Sequence, residues 1–174
     1  MKMTKYRLFM AWEHEQEEAW LAEMEADGWH LDTVQMIRYE FVKGEPDQYQ
    51  YRLEMLPELP NHPDSVRYLE FMEETGAEAI ASYLRWVYFR KKNDGTPFEI
   101  YSDNASRIRH LRRILYLLIP ALCAELLATL SVVLSSGLMW PGLVCMMLAV
   151  AIASGIVQIN RQIKKLEKGQ NICE

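Results

Sequence analysis

The densest run of ionisable side chains near the start of the chain is His14, Glu15, Glu17 and Glu18. His14, Glu15 and Glu18 form an HExxE, one residue away from the HExxH pattern, in which two histidines a helical turn apart hold zinc and the glutamate serves as base. Glu18 stands where the second histidine is required, so zinc is not expected. The run reads instead as an acidic, solvated helix face shared by Glu13, Glu17 and Glu18. His30, His62 and His110 show no ligand spacing. The acidic first part of the chain holds no G-x-S-x-G turn, no glycine-rich phosphate loop and no Cys/His pair. The expectation is a protein that is not an enzyme and uses no metal or cofactor.

Two other groups could bind something. Trp86, Tyr88 and Tyr101 interleave with Arg85, Arg90, Lys91 and Lys92, which suits an anionic or flat ligand, or a partner, through cation–π contacts and hydrogen bonds. The same pattern also describes a strand that alternates core aromatics with solvated basics. Arg107, Arg109, Arg112 and Arg113 form a basic cluster fit to lie on an anionic leaflet, where each is worth about 1 kcal/mol; topology signalling alone would require the same residues.

The elements that would position these groups divide by charge. Of the 174 residues, 1–104 carry 11 Lys+Arg against 21 Asp+Glu, while 105–174 carry 8 against 3, within a net charge of -5. The acidic part would repel phosphate, so nucleic acid is not a partner. Residues 114–134 and 138–159 are apolar runs of 21 and 22 residues, each long enough as a helix to cross a hydrocarbon core of about 30 Å. Basic residues flank the pair and none lies between, so both termini are placed in the cytoplasm, with the protein in the cell (inner) membrane. Pro120 should kink the first helix. Cys123 and Cys145 read as small apolar residues, and three cysteines make no disulfide framework.

Glu125 falls mid-way along the first span, where a carboxylate costs on the order of 3 kcal/mol. It reads either as an intramembrane contact with another subunit or as a protonated, tolerated carboxyl.

The acidic part alternates between strand and helix patterns. A strand is expected from Tyr6 to Trp12, then a helix closed by Gly28. A hairpin of Leu31–Val42 and Tyr49–Leu56 follows, then a helix from Ser65 to Thr75 closed by Gly76, and one or two strands to residue 92. Trp20, Leu21, Met24, Glu25 and Gly28 are echoed by Tyr68, Leu69, Met72, Glu73 and Gly76 at an offset of 48. The fold class expected is α+β, a ferredoxin-like βαββαβ domain over 1–92 with room for one extra strand. A linker and basic juxtamembrane helix over 93–113, a helical hairpin over 114–160 and a basic tail over 161–174 complete the chain. The linker helix would be capped by Ser102 or Asp103.

The segments YEFVKGEPDQYQYRLEML, RWVYFRKK and PFEIYSD resemble bacterial domain-of-unknown-function membrane proteins often encoded beside PadR-like transcriptional repressors. The resemblance covers residues 4 to 115 and supplies no catalytic residues. It implies a setting rather than an activity, and the function expected is that of a membrane-anchored regulatory or sensory protein whose cytoplasmic domain binds a protein partner or small ligand. The alternative is an accessory subunit of a membrane transporter. Expected partners are membrane lipid, a second copy, or a membrane or regulatory protein.

Overall fold

The structure, a computed structural model, describes residues 1–136 and 139–170. Gly137 and Leu138, and the tail from Asn171 with Cys173, lie outside the described residues. The chain forms two compact units, Met1–Ser102 and Asp103 onward.

The first unit is α+β and is built twice from one plan. β1 (Lys2–Tyr6), α1 (His14–Ala26), β2 (Trp29–Gln35) and β3 (Arg38–Lys43) make the first repeat. β4 (Tyr49–Met55), α2 (Pro63–Glu74), β5 (Ala77–Tyr83) and β6 (Trp86–Lys92) make the second. Each repeat closes its own three-stranded antiparallel sheet, in the orders β1-β3-β2 and β4-β6-β5. A register shift falls between Leu31 and Thr33 in one and between Ala79 and Ala81 in the other, 48 residues on. Gly28 and Gly76 end the helices with φ of +73° and +83°, the left-handed closure that glycine reaches without steric cost.

The core follows the same offset. Trp20, Leu21 and Met24 of α1 pack with Leu31, Tyr39 and Phe41. Tyr68, Leu69 and Met72 of α2 pack with Ala79, Val87 and Phe89. Leu31, Phe41 and Phe89 are at most 1% exposed, and burial of a side chain of this size stabilises the fold by roughly 2 to 3 kcal/mol.

This pairing corrects the expected sheet. A βαββαβ ladder would merge the strands of both halves; here each half keeps its own three. Leu31–Val42 is not one strand but most of a hairpin turning at Met36 and Ile37, and β4 pairs with β6 rather than with its predecessor. The first strand is Lys2–Tyr6, and the run to Trp12 is irregular before a short 3-10 turn over Ala11–Glu13. The unit also extends past residue 92. Phe98 is buried in the second core, and Gln50 holds the segment by accepting from the Phe98 N–H at 2.7 Å and donating to the Thr96 carbonyl at 2.8 Å.

The second unit is a pair of helices, α3 (Asn104–Ser136) and α4 (Met139–Gln170). Asp103 caps α3 by accepting from the Ser106 N–H. At 33 residues α3 is about 50 Å long, and it passes through Pro120 without ending. Both helices are long and apolar enough to cross a membrane. Only 6% and 22% of their most apolar windows is buried. Core helices of a soluble fold would be mostly buried.

Candidate functional site

The ionisable side chains of α1 form the main polar constellation of the first unit, and His14, Glu17, Glu18 and Glu25 are turned away from solvent. Leu21 marks the buried face of α1, and one helical turn on either side of it stand Glu17 and Glu25. Glu17 is 6% exposed and Glu25 2%. The acidic face expected in solvent is therefore turned into the fold, while Glu15 stays outside.

Glu17 lies between the two repeats. Its Oε1 accepts from the Tyr39 hydroxyl on β3 and from the Tyr88 hydroxyl on β6, both at 2.6 Å. These are short, charge-assisted bonds. Burial raises the Glu17 pKa, and the two hydroxyls work against that rise. Both tyrosines are held above the usual phenol range by burial and by the carboxylate they serve. Neither is placed to give up its proton.

Glu25 takes four donors. The N–H groups of Gln48 and Tyr49 reach Oε1 at 3.0 and 3.1 Å, and the Tyr51 hydroxyl and His30 Nδ1 complete the set at 2.9 Å. His30 lies against Gly44, where an added Cβ would come within 1.8 Å of its ring, so glycine is required there. Glu18 accepts from the Leu53 N–H at 2.7 Å, and burial pushes its pKa up to about 7.

Leu53 and Tyr49 share a direction on β4. The ladder bonds that bracket this strand, Asn93 N–H to the Gln48 carbonyl and Leu56 N–H to the Arg85 carbonyl, show that even-numbered residues face β6. Odd-numbered residues therefore point their N–H groups away from the sheet. Two carboxylates seven residues apart on α1 meet this outer edge of β4. They occupy the place of a missing strand and protect an edge that would otherwise pair with another chain.

Trp86, Tyr88 and Arg90 share one face of β6, as their spacing predicts, but it is the face toward α1. Tyr88 is buried on Glu17, and Trp86 stacks 5.9 Å from His14, whose pKa burial lowers. Arg90 bonds Glu78 at 2.6 Å and lies 4.4 Å over the Tyr49 ring. Tyr101 is half-buried in the segment after β6. Sequence reasoning puts Glu17 on a solvated face and gives Glu25, Tyr39 and Tyr51 no role in a site, although Glu17 and Glu25 stand four residues before and after the apolar Leu21.

Among the described residues no group of three or more His, Cys, Asp or Glu could hold a metal ion. In the helical unit Arg109 bonds Ser106 at 2.7 Å and Arg112 meets Glu167 of α4 at 3.4 Å. Arg107 and Arg113 lie half-buried on the same stretch.

Leu118, Leu122, Glu125, Thr129 and Val132 are the less exposed positions along α3, spaced alternately four and three apart. Cys145, Ala149, Ile152, Ile156 and Ile159 repeat that rhythm on α4. These steps of four and three are the spacing of a seam by which two helices pack side by side, and Glu125 is at one of them, although on α4 Ala151, Ala153, Gly155 and Gln158 are also shielded. Val133 faces Gly142, where an added Cβ would come within 3.0 Å, and with the Arg112–Glu167 pair this sets Glu125 level with Val150 to Ser154.

A model of the family described as "Protein of unknown function (DUF2812)" matches residues 13–123. The chain belongs to this family. The DUF2812 match takes in all of α1 with Glu17, Glu18 and Glu25, the tyrosine donors and the basic stretch of α3, and it ends before Glu125. No curated protein and no solved structure matches the chain.

Proposed function

We propose that the protein is a membrane-anchored, non-enzymatic regulatory or sensory module, whose first unit lies in the cytoplasm and binds a protein partner or small ligand. One observation carries this reading. The carboxylates and tyrosines best suited to chemistry are spent on joining the first unit's own two repeats, while the second unit exposes apolar helix surface that only lipid or another apolar helix can cover. Glu25, with four donors, has little capacity left for a ligand.

Basic residues on both outer flanks of α3 and α4, and none between them, support cytoplasmic termini and a setting in the cell membrane. Arg107, Arg109, Arg112 and Arg113 then fall at the anionic leaflet. The resemblance to proteins encoded beside PadR-like repressors names the first partner to look for.

The experiment is co-purification from native membranes. Recovery of a repressor or signalling protein supports the reading. Recovery of a multi-span permease instead supports the accessory-subunit alternative, and with it a contact through Glu125.

A further inference from the structure

Both flanks of the helical unit are basic, but the two are not equivalent. On α3, Arg109 bonds Ser106 and Arg112 meets Glu167, so these cations are engaged within the unit. On α4, Arg161 and Lys165 are exposed, and Gln158 lies about one turn nearer the middle of the span. Among the described residues no hydrogen bond or ion pair engages Gln158, Arg161 or Lys165.

These three side chains border one groove. Along α4, Val150, Ser154 and Gln158 form a row at four-residue spacing, and Val157, Arg161 and Lys165 form the next; both rows line an open groove. At about 3.6 residues per turn it lies roughly half a revolution from Ile152, Ile156 and Ile159, so it looks away from α3 and into whatever surrounds the pair. Its chemistry changes along its length. Val150 and Val157 make one end apolar, and Ser154 leaves that end shallow, with its hydroxyl spent on the Ala151 carbonyl at 2.7 Å. Gln158 comes next, an amide that needs a hydrogen-bond partner wherever water is excluded. Arg161 and Lys165 close the series, about 6 Å apart along the axis, within reach of a single anion.

An occupant that satisfies the whole groove is apolar at one end, anionic at the other and rich in acceptors between. An anionic phospholipid has that order: acyl chain, ester carbonyls, phosphate. A soluble phosphate would fill only the charged end, and an apolar helix only the other. We propose that the α4 groove binds one anionic phospholipid, with its phosphate between Arg161 and Lys165, an ester carbonyl at Gln158 and an acyl chain against Val150 and Val157. This rests on the reading of α3 and α4 as membrane-spanning, and it adds a specific lipid site to the general attraction of a basic flank for an anionic leaflet.

The test uses the full chain in nanodiscs of equal phosphatidylglycerol and phosphatidylcholine, with the lipids that stay bound after release counted by native mass spectrometry. The wild type should retain phosphatidylglycerol over phosphatidylcholine by about tenfold, since two cations attract the anionic headgroup. Arg161→Gln/Lys165→Gln should abolish that preference. Lys164→Gln/Lys168→Gln removes the same charge from residues that do not line the groove, and should keep most of it. Ser154→Leu fills the shallow end without touching a charge, and should weaken retention severalfold. Equal losses from the two charge pairs, or full retention by Ser154→Leu, would mean attraction to the leaflet in general and overturn the site. Displacement of the lipid by excess glycerol 3-phosphate would assign the groove to a soluble phosphate and overturn it equally. A chain that enters the nanodisc and shows no preference sinks the site alone, whereas a chain that stays outside sinks the membrane reading with it.

Discussion

Met36 and Leu84 lie 48 residues apart, take the same φ of +54°, and sit at the tips of the β2–β3 and β5–β6 hairpins with 65% and 66% of their surface exposed. Each breaks two local preferences at once, because a branched or long apolar residue is costly in the left-handed region and gains nothing from burial there. The shared dihedral supports the offset of 48 as a true repeat of structure.

Met36→Gly and Leu84→Gly should each stabilise the chain by about 0.5 to 1 kcal/mol, since glycine takes positive φ without the Cβ clash. The two effects should add, because each relieves strain at a single residue of its own turn. Denaturant unfolding of the chain in detergent, followed by Trp fluorescence, would show it. A loss of stability at either site would mean that the exposed side chain makes a contact worth more than the strain.

The first unit should fold without the helices. Both repeat cores close within Met1–Ser102, so the isolated segment should unfold cooperatively and give mixed α/β circular dichroism. A disordered product would show that the helices or a partner complete the core.

The repeat was legible because Gly28 and Gly76 mark helix ends and because apolar residues recur 48 positions apart. The sheet division was not. Its turns are Met36-Ile37 and Leu84-Arg85, with no Gly, Asn or Asp to announce them, so Leu31–Val42 reads as one strand. The site failed for a related reason. Formal charge suggests solvent, yet Glu17 and Glu25 sit at the apolar spacing of α1, and their donors, Tyr39, Tyr51 and Tyr88, come from strands whose facing only the tertiary fold decides.

Glu18 should make stability depend on pH. Its folded pKa of about 7 lies above the ordinary 4.5, so the folded state holds a proton that the unfolded state has lost between those values. That stabilisation is fully present below pH 4.5 and disappears as pH rises through 7. Glu18→Gln keeps an acceptor for the Leu53 N–H without the buried charge. It should raise stability at pH 8 by roughly 1 to 3 kcal/mol and leave it little changed at pH 4.5. An equal effect at both pH values would rule out the charge as the cause.

Tyr39→Phe and Tyr88→Phe should each cost about 1 to 3 kcal/mol, because each removes a donor from a buried carboxylate. The double change should deviate from the sum, since both hydroxyls serve one oxygen of Glu17. A double-mutant cycle measured at pH 8 would give the coupling. Strict additivity would mean that Glu17 does not hold the repeats together.

Glu125 is the last test, and its place on the seam changes what to expect. A side chain turned toward α4 at the level of Ala151 is badly placed to meet another subunit, and among the described residues no donor reaches its buried Oε1. Its cost in hydrocarbon is on the order of 3 kcal/mol, and a leucine at the same position would extend the apolar seam. Glu125→Leu should therefore improve insertion and raise the thermal stability of the helix pair in detergent. Glu125→Gln should fall between, because an amide removes the charge and keeps the polarity. Recovery of any partner from native membranes should be equal for wild type, Gln and Leu. If Leu instead abolishes recovery while the helix pair stays folded, Glu125 faces outward to a partner. The accessory-subunit reading would then replace the one proposed here.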